Sequence, residues 1–301
     1  MDSHQGNEHK KKPFHFNYDK YYKLFLAIPT LLLLGSFTYL FIFYSQTGDI
    51  MHKDVSLTGG TTLTLFDGNI SVKALEDALS PQFKDVTIRA LTDFSTGKTI
   101  AISIESSAGH IELKKAVEEF TGYKLTEDNS STEFSGSSLS ESFYKQLIIA
   151  MLIAFAFMMI AVFVIFRKAL PSTFVIISSF MDVFVTLIVV NLLGVRISTA
   201  GIAAFLMLIG YGVDNNVLLT ARALKGTEGT FNSRVYSAFK TGMTVAFTSF
   251  AAFLIAYFIV ISPALKQVFL ILLIGLAVDI LATWGMNASL LKWDYEKRRN
   301  K

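Results

Sequence analysis

The segment with the clearest chemical potential is residues 210–219, which read Gly-Tyr-Gly-Val-Asp-Asn-Asn-Val-Leu-Leu. It puts one carboxyl group, Asp214, and two amides, Asn215 and Asn216, inside an otherwise apolar stretch. An aspartate deep in a membrane span costs about 2.5–3.5 kcal/mol on insertion scales, so its side chain must face other helices or water. The pattern therefore indicates either a carboxyl group that carries protons or a hydrogen-bonded aspartate that holds helices together.

Two further aspartates, Asp182 and Asp279, also lie inside apolar stretches. At about 1.5 Å per residue, Asp182, Asp214 and Asp279 lie about 18, 22 and 21 Å from the predicted starts of their helices, well within a hydrocarbon layer about 30 Å thick. We expect the three carboxyl groups to line one polar seam or, for Asp182 and Asp279, to form hydrogen bonds between helices.

Lys240 stands at the predicted start of the fifth apolar stretch, where two roles are open to it. Its ammonium group can anchor the helix at the membrane surface while its aliphatic part packs on apolar neighbours. Alternatively, it can lie beside a carboxyl group and favour the ionised form of that group.

A second motif, Thr58-Gly59-Gly60-Thr61, follows the first apolar stretch and precedes a predicted strand. Two glycines in a row permit positive φ angles or a close approach of the backbone to a neighbouring element. No lysine follows to make a phosphate-binding loop, which excludes a nucleotide site of that kind. The motif indicates a tight structural turn or a functional site of an outer domain.

The composition is that of a membrane protein. Of 301 residues, 52% are hydrophobic and 17% are charged, whereas a soluble domain carries about 25% charged residues. There is no cysteine, which excludes disulfides and thiolate ligands. The five histidines all lie in the N-terminal tail or between residues 50 and 142, so none can act within the bilayer. Because the sequence shows no nucleophile–base pair and no metal-binding cluster, we predict neither an enzyme nor a cofactor.

Six stretches are long and apolar enough to cross a membrane, since a span needs about 20 such residues. The predicted spans are residues 24–44, 147–166, 170–193, 199–219, 241–261 and 265–291. Basic residues cluster in alternate connections and at both ends of the chain, so the positive-inside rule places both termini of this multi-pass plasma-membrane protein in the cytoplasm. The predicted divisions are a cytoplasmic tail (1–23), the first span (24–44), an extracytoplasmic domain (45–142), a five-helix membrane region (143–292) and a second cytoplasmic tail (293–301).

The extracytoplasmic domain has the sequence pattern of strands that alternate with helices. The predicted elements are strand 61–66, helix 72–79 with Ser71 as its cap, strands 85–91 and 98–104, helix 110–120 and strand 132–135. Their order, βαββαβ, predicts a ferredoxin-like α+β domain attached to a membrane α-helical bundle. The many serines between residues 130 and 138 predict a flexible connection to the second span.

Together these features resemble the SecD/SecF family, within the resistance–nodulation–division superfamily, over nearly the whole chain. Residues 56–61, Ser-Leu-Thr-Gly-Gly-Thr, resemble the Phe-Thr-Gly-Gly-Thr signature that follows the first helix in that family. The segment of residues 210–219 resembles the family's Asp/Asn motif. Six spans with a small outer domain are similar to the smaller of the two subunits rather than to the larger one.

The sequence departs from the bacterial members in two places. They usually have Asn and then Asp two residues after a Gly-Tyr pair, whereas here Asp214 precedes Asn215, and one residue rotates a side chain by about 100° around a helix. The family carries a basic residue, normally arginine, at the start of the fifth helix, and Lys240 is the matching residue. A buried lysine can lose its proton whereas arginine effectively cannot, so the exchange alters the available chemistry. These differences are similar to those of a divergent, archaeal member.

The resemblance implies a subunit of Sec-dependent protein export in which proton flow drives the outer domain against the exported polypeptide. The residues that we predict for the proton path, from their depth in the spans and from the two motif-like positions, are Asp214, Asn215, Asn216, Lys240, Asp182 and Asp279. It implies a heterodimer with a SecD homologue, with the Sec translocon channel and membrane lipids as further partners and no nucleic acid. Two alternatives are a proton-driven efflux component for small amphiphiles, which needs a larger outer region with a ligand cleft, and a scaffold that binds the translocon without pumping.

Overall fold

The computed structural model describes residues 18–93, 96–226 and 229–300, with side chains from residue 22 onward. In chain order the elements are α1 (Tyr18–Thr47), α2 (Val55–Thr58), β1 (Gly60–Leu65), α3 (Val72–Leu79), β2 (Thr87–Thr92), β3 (Thr99–Ser106), α4 (His110–Thr121), β4 (Ser130–Ser135), α5 (Ser137–Phe166), α6 (Ala169–Leu192), α7 (Thr199–Lys225), α8 (Phe231–Ile259), α9 (Pro263–Leu281), a π-helical turn (Ala282–Asn287) and α10 (Ala288–Arg299). Among these residues, six helical runs are long and apolar enough to cross a membrane: α1, α5, α6, α7, α8 and the continuous run from α9 to α10. Most of the predicted N-terminal cytoplasmic tail, residues 1–17, lies outside the described residues.

Two membrane helices begin well before their predicted starts. α5 begins at Ser137 rather than at residue 147, and α8 begins at Phe231 rather than at residue 241. Hydropathy detects only the part of a helix that lies in the apolar layer, and the polar first turns of these two helices add nothing to that signal. Lys240 is therefore an exposed residue within α8 and does not stand at its start.

The prediction of a flexible connection between residues 130 and 138 is wrong. The strand predicted at residues 132–135 is present and begins earlier: Ser130–Ser135 form β4, which pairs antiparallel with β1, and Ser137 already belongs to α5. Strand pairing uses backbone N–H and C=O groups, so a serine-rich edge strand forms although its side chains give little apolar signal.

The outer domain has the predicted ferredoxin-like arrangement. Its strands pair antiparallel in the order β2-β3-β1-β4, and α3 and α4 cover one face of the sheet. α3 begins at the predicted place because the Ser71 hydroxyl accepts a hydrogen bond from the Ala74 N–H (3.4 Å). The buried apolar core between the sheet and these helices contains Leu63, Leu65, Leu75, Leu79, Ile102, Ile104, Leu113 and Val117.

The membrane bundle is built around α6, α7 and α9, which are much more buried than α1, α5 and α8. Small residues allow the central helices to approach closely. At Gly275, an added Cβ would lie 2.4 Å from Leu208 Cδ1, so a larger residue there would have to displace that buried leucine. At Gly212 the neighbour is the Asp182 carboxyl, whose Oδ2 would lie 2.5 Å from a Cβ. The close contact therefore lies where the sequence places its buried polar residues.

Candidate functional site

Asp182 of α6 and Asp279 of α9 form a buried pair of carboxyl groups in the centre of the bundle. Their relative exposures are 0% and 1%, and the two groups face each other. Asp279 accepts a hydrogen bond from the Asn215 amide at Oδ2 (2.6 Å) and another from the Thr283 hydroxyl at Oδ1 (2.8 Å). Two facing carboxyl groups away from water are not both ionised at an acceptable cost, so the pair holds at least one proton.

Asp182 is less well satisfied than Asp279. Within the described residues its carboxyl faces that of Asp279, and no amide or hydroxyl group donates a hydrogen bond to either of its oxygens. Gly212 makes room for this carboxyl, since any side chain there would collide with it. A carboxyl with free hydrogen-bonding capacity beside a second carboxyl is suited to exchange a proton.

The periodicity of α7 determines which residues of the 210–219 segment reach this pair. Gly212, Asn215 and Asn216 are spaced by three and four residues, so they share the face that packs on α6 and α9. Both asparagines are buried accordingly. Asp214 lies on a different face of α7 and is exposed, although it is near enough for its charge to act on Asp279.

Asp214 and Lys240 lie on the open surface of the isolated chain. Both side chains are exposed, and they form no ion pair with each other in the structure as described. Thr241 and Thr244 of α8 are exposed as well and extend this polar surface. The structure thus divides the predicted polar seam into a buried part, built on Asp182 and Asp279, and an exposed part on α7 and α8.

Sequence reasoning missed three buried polar residues beside the pair: Thr220, Thr283 and Asn287. Each has a relative exposure of 0%. Asn287 donates hydrogen bonds to Asn216 Oδ1 (2.8 Å) and to Thr220 Oγ1 (3.2 Å). Two of the three could have been found from their spacing, because Asp279, Thr283 and Asn287 follow one another at intervals of four residues in an otherwise apolar helix.

The chemistry available here is that of carboxyl, amide and hydroxyl groups. Within the described ranges, no group of three or more histidine, aspartate or glutamate side chains is arranged to hold a metal ion. Among the groups of the buried site, only the carboxyls of Asp182 and Asp279 bind and release protons under ordinary conditions. The neighbouring amides and hydroxyls orient them and stabilise their charge.

The two glycines of the outer motif form a tight turn between elements. Gly59 and Gly60 both have positive φ angles, 89° and 142°. A Cβ at Gly59 would lie 2.4 Å from Ser137 Cα, and one at Gly60 would lie 2.4 Å from Ser106 O. The turn therefore packs the start of β1 directly against the start of α5 and the end of β3.

The two threonines of the motif bind backbone carbonyl groups. The Thr58 hydroxyl donates to Asp54 O (3.2 Å), and the buried Thr61 hydroxyl donates to Ala108 O (2.7 Å). These bonds hold the turn at both of its ends. The motif is thus a structural element that connects the outer sheet to the membrane helices.

The segment that leads to this motif is tied to the connection between α6 and α7. Asp54 N–H donates to Ile197 O (3.0 Å), and Ile197 N–H donates to His52 O (2.7 Å). Thr199 N–H, at the start of α7, donates to Ser56 Oγ (3.2 Å). The outer domain is thereby fixed to the helix that carries Asn215 and Asn216.

α6 and α9 are also hydrogen-bonded to this segment and to the connection between α6 and α7. Asn191 of α6 donates to Ile50 O (2.9 Å). Gln267 of α9 accepts from the Ser198 N–H (3.0 Å) and the Ser198 hydroxyl, and its amide donates to Arg196 O. We call this network, formed by residues 50–61, residues 191–199 and Gln267, the outer junction. Each helix that contributes to the buried pair is joined to the outer domain through it.

Two carboxyl groups, Asp54 and Glu105, lie near each other at the outer junction. Burial raises the pKa of Asp54, although hydrogen bonds from the backbone of Val55 oppose the shift. Burial also raises the pKa of Glu105, and the charge of Asp54 adds to the shift, whereas Arg89, which pairs with Glu105 at 3.3 Å, opposes it. Each of the two carboxyls has one buried oxygen with no hydrogen-bond partner among the described residues.

Comparison with known proteins places these features in a family. Residues 114–297 match the family model of the protein export membrane protein SecD/SecF, C-terminal. The chain is similar to the protein-export membrane protein SecF of Methanocaldococcus jannaschii, with 33% identity over 94% of this chain and 99% of that protein. It is also similar to SecF of Pyrococcus furiosus, with 30% identity over 86% of each chain, and to SecF of Haloferax volcanii, with 30% identity over 89% of this chain and 90% of that one.

Among solved structures, the fold is similar to that of SecDF, a translocon-associated membrane protein from Thermus thermophilus, with a TM-score of 0.73 and 19% identity. The match covers 93% of this chain but only 39% of that one. The resemblance inferred from the two sequence motifs is confirmed by the family model and by the archaeal relatives. The chain belongs to the SecD/SecF family of protein-export membrane proteins, in which its similar relatives are SecF proteins.

Proposed function

We propose that this SecF-type subunit couples proton passage through Asp182 and Asp279 to polypeptide export across the plasma membrane, with both termini in the cytoplasm. The observation that supports the coupling is the buried pair itself. It joins a carboxyl that accepts hydrogen bonds from an amide and a hydroxyl to one that, among the described residues, receives none from such groups. The helices that carry them are tied to the outer domain. The subunit acts by transport and not as an enzyme.

The proton changes the packing at the centre of the bundle. When both carboxyls of the pair are protonated the site is neutral, and α6 and α9 approach closely. When one proton leaves, the remaining charge requires the Asn215 amide, the Thr283 hydroxyl and water, which favours a looser packing. The three central helices begin or end at the outer junction, so the change reaches β1 and α5. The proton gradient makes the cycle directional, because protons enter from outside and leave to the cytoplasm.

The exposed polar surface of α7 and α8 supports a membrane partner. Asp214, Lys240, Thr241 and Thr244 are exposed in the isolated chain, and polar groups in contact with hydrocarbon are costly. The solved SecDF chain is longer, and this chain spans 39% of it. We infer that a SecD homologue covers this surface in a heterodimer and places Asp214 at the interface. The translocon channel and the exported polypeptide contact the outer side, while lipids surround the remaining helices.

The test uses the heterodimer and the translocon in lipid vesicles, with export measured in the presence and absence of a proton gradient. Asp182→Asn and Asp279→Asn keep the size of each side chain but remove its ionisation, so each variant should assemble normally and lose the gradient-dependent part of export. The matched control is Asp77→Asn, an exposed aspartate of α3 in the outer domain, which should export normally. Normal gradient dependence in both membrane variants would favour the scaffold that does not pump.

The same vesicles distinguish export from efflux. Loaded with a fluorescent amphiphile, they should retain the dye when the gradient is applied. Gradient-driven loss of dye that Asp279→Asn abolishes would favour the efflux component instead.

A further inference from the structure

A line of buried polar groups continues from the carboxyl pair toward the cytoplasmic end of the sixth span. The Thr283 hydroxyl binds Asp279 (2.8 Å), and Asn287, four residues further along, binds Asn216 and Thr220. At about 1.5 Å per residue, the line from Asp279 to Asn287 covers about 12 Å of the helix. Thr283 binds the pair directly, whereas the contacts of Asn287 do not touch the pair and lie on its inner side.

α6 supplies the facing wall of this line. Ser178 and Ser179 have relative exposures of 0% and 2% and lie about one helical turn from Asp182, toward the basic connection at residues 167–168 that we place in the cytoplasm. Neither serine hydroxyl has a hydrogen-bond partner within the described residues, and the same is true of Asn287 Oδ1. Buried polar atoms in native proteins are nearly always hydrogen-bonded, by ordered water where protein groups are lacking. Ser178 and Ser179 lie three and four residues from Asp182 and so share its side of α6, which contacts the π-helical part of the sixth span; with Asn287 they leave buried hydrogen-bonding capacity on the inner side of the carboxyl pair.

The backbone of the sixth span is irregular at the same level. Residues 282–287 form a π-helical turn, in which the Ala288 N–H donates to Thr283 O, five residues earlier. Such turns are rare, are less favourable than a regular α-helix and are frequently found at functional sites. α1 supports this one from outside, since Pro29 Cγ would lie 3.0 Å from a Cβ at Gly285. The turn contains both Thr283 and Asn287, and it sets their direction relative to α6 and α7.

We propose that the π-helical turn and the facing serines of α6 form a binding site for a short chain of water molecules, which is the inward half of the proton path. This inference rests on the proposed function and assigns the residues that act after the carboxyl pair. A proton leaves the Asp182–Asp279 pair, which keeps one negative charge, and passes to a water molecule held by Thr283. The excess proton then moves from one water molecule to the next. The hydroxyl groups of Thr283 and Ser178 hold these waters, since each hydroxyl can accept one hydrogen bond and donate another. Asn287 gains and loses no proton, so it is a positioning residue.

The test follows the protonation of the pair from one side of the membrane at a time. The heterodimer is placed in vesicles with one known orientation, and the pH of the medium around the vesicles is changed rapidly. The infrared C=O band of the protonated carboxyl pair is then recorded. That band is assigned by its loss in Asp279→Asn. Inside-out vesicles expose the cytoplasmic face to the pH change, and right-side-out vesicles expose the opposite face.

Thr283→Val is close to isosteric and removes only the hydroxyl. It should slow the response of the band to the cytoplasmic pH change by about tenfold or more, as expected for the loss of one proton-transfer group. Thr283→Ser should restore the rate. Asn287→Leu should slow the same response. Neither Thr283→Val nor Asn287→Leu should change the response to a pH change on the opposite, outer face of the membrane. The control is Thr248→Val, an exposed hydroxyl of α8, which should leave both responses unchanged.

Unchanged cytoplasmic responses in Thr283→Val would overturn the proposal, and equal slowing from both faces would show a general loss of packing and overturn it as well. If Asn287→Leu fails to fold, the valine and serine variants at position 283 carry the test. Export by the unaltered chain that does not depend on the gradient would defeat the proposed function, while the sided infrared responses would still decide whether the inner path exists.

Discussion

The amide of Asn215 donates a hydrogen bond to Asp279 Oδ2 at 2.6 Å, so the fourth span holds the buried carboxyl group of the sixth. Asn215 thus places an amide on the face of α7 that packs on α9, and the buried carboxyl comes from that neighbouring helix. Asp214, the carboxyl of the 210–219 segment, lies on the exposed surface of α7.

Leucine substitutions should separate the two carboxyl groups. Asp279→Leu leaves the Asn215 amide and the Thr283 hydroxyl unsatisfied in the interior, at a cost of about 1–3 kcal/mol each. Asp214→Leu changes an exposed position and should alter the free energy of unfolding by no more than about 0.5 kcal/mol. Thermal unfolding of the isolated subunit in one detergent measures both. An equal loss of stability in the two variants would contradict the placement of Asp214 on the surface. A pull-down with the Asp214→Leu variant should instead recover less of the SecD homologue.

The outer junction should be more stable in acid. The pKa values of Asp54 and Glu105 are raised in the folded chain, so the folded state binds protons at these groups more tightly than the unfolded chain does. Their contribution to stability is full below the unfolded values of about 4 and is lost as the pH rises through the folded pKa values. Glu105→Gln should reduce that loss and stabilise the outer domain at neutral pH, because its ion pair with the partly exposed Arg89 contributes at most about 1 kcal/mol. Hydrogen exchange of β1 and β3 between pH 4 and 7 measures the effect.

Asp85 supplies a control of opposite sign in the same domain. Burial pulls its pKa upward, but hydrogen bonds from the Ser107 N–H (2.6 Å) and the Ser106 hydroxyl (3.1 Å) outweigh this and lower the pKa of Asp85. Its contribution is present above the unfolded value of about 4 and is lost as the pH falls through the folded one. Asp85→Asn should therefore destabilise the domain at neutral pH. A stabilising effect of both amide variants would refute the assignment of opposite signs.

Alanine at Gly59 or Gly60 should loosen the attachment of the outer domain. Each substitution forces a side chain onto a positive φ, at a cost of about 1–3 kcal/mol, and also drives a Cβ against backbone atoms 2.4 Å away. Limited proteolysis between α1 and β1 should become faster. Gly109→Ala is the matched control, because that glycine has a φ of −63° and no heavy atom within 4 Å of an added Cβ. Equal proteolysis of all three variants would show that the turn is not under constraint.

Cysteine labelling tests the orientation in the membrane. The chain contains no cysteine, so a single introduced thiol gives the only signal. A cysteine at exposed Ser107 of the outer domain should react with an impermeant reagent on intact cells, and one at exposed Lys168, between α5 and α6, should react only after the membrane is opened. The reverse result would invert the topology inferred from the basic residues.

The fold could be predicted from the sequence where its signals are local. Hydropathy gave the six spans, and the alternation of residues with the Ser71 cap gave the order of the outer domain. The predicted boundaries were wrong where backbone pairing forms a strand from polar residues, and where the first turns of a helix are polar. Of β4, only residues 132–135 were predicted as a strand, and the serines around them were predicted to be flexible although residues 130–135 pair with β1. The polar first turns of α8 place the helix start at Phe231, well before Lys240.

The site could be predicted only in part, because contact between helices is a property of the assembled bundle. Depth in an apolar stretch identified Asp182, Asp214 and Asp279, but one sequence cannot say which of three carboxyls will face each other. The helical face of Asn215 and the room left at Gly212 decide that outcome. Thr283 was overlooked because a single hydroxyl hardly alters the hydropathy of a span.

The outer junction also sets a condition on how force and protons are related in this protein. Because Asp54, Ile197 and Gln267 join the outer domain rigidly to the ends of the central helices, work done on one is felt by the other. Thermodynamic linkage is reciprocal: if binding a proton shifts the domain with a given free energy, a load on the domain must change proton affinity by the same amount. Under the coupling proposed above, a polypeptide that resists movement of the domain would lower the proton affinity of the buried pair, so fewer protons would pass as the load on the domain rises.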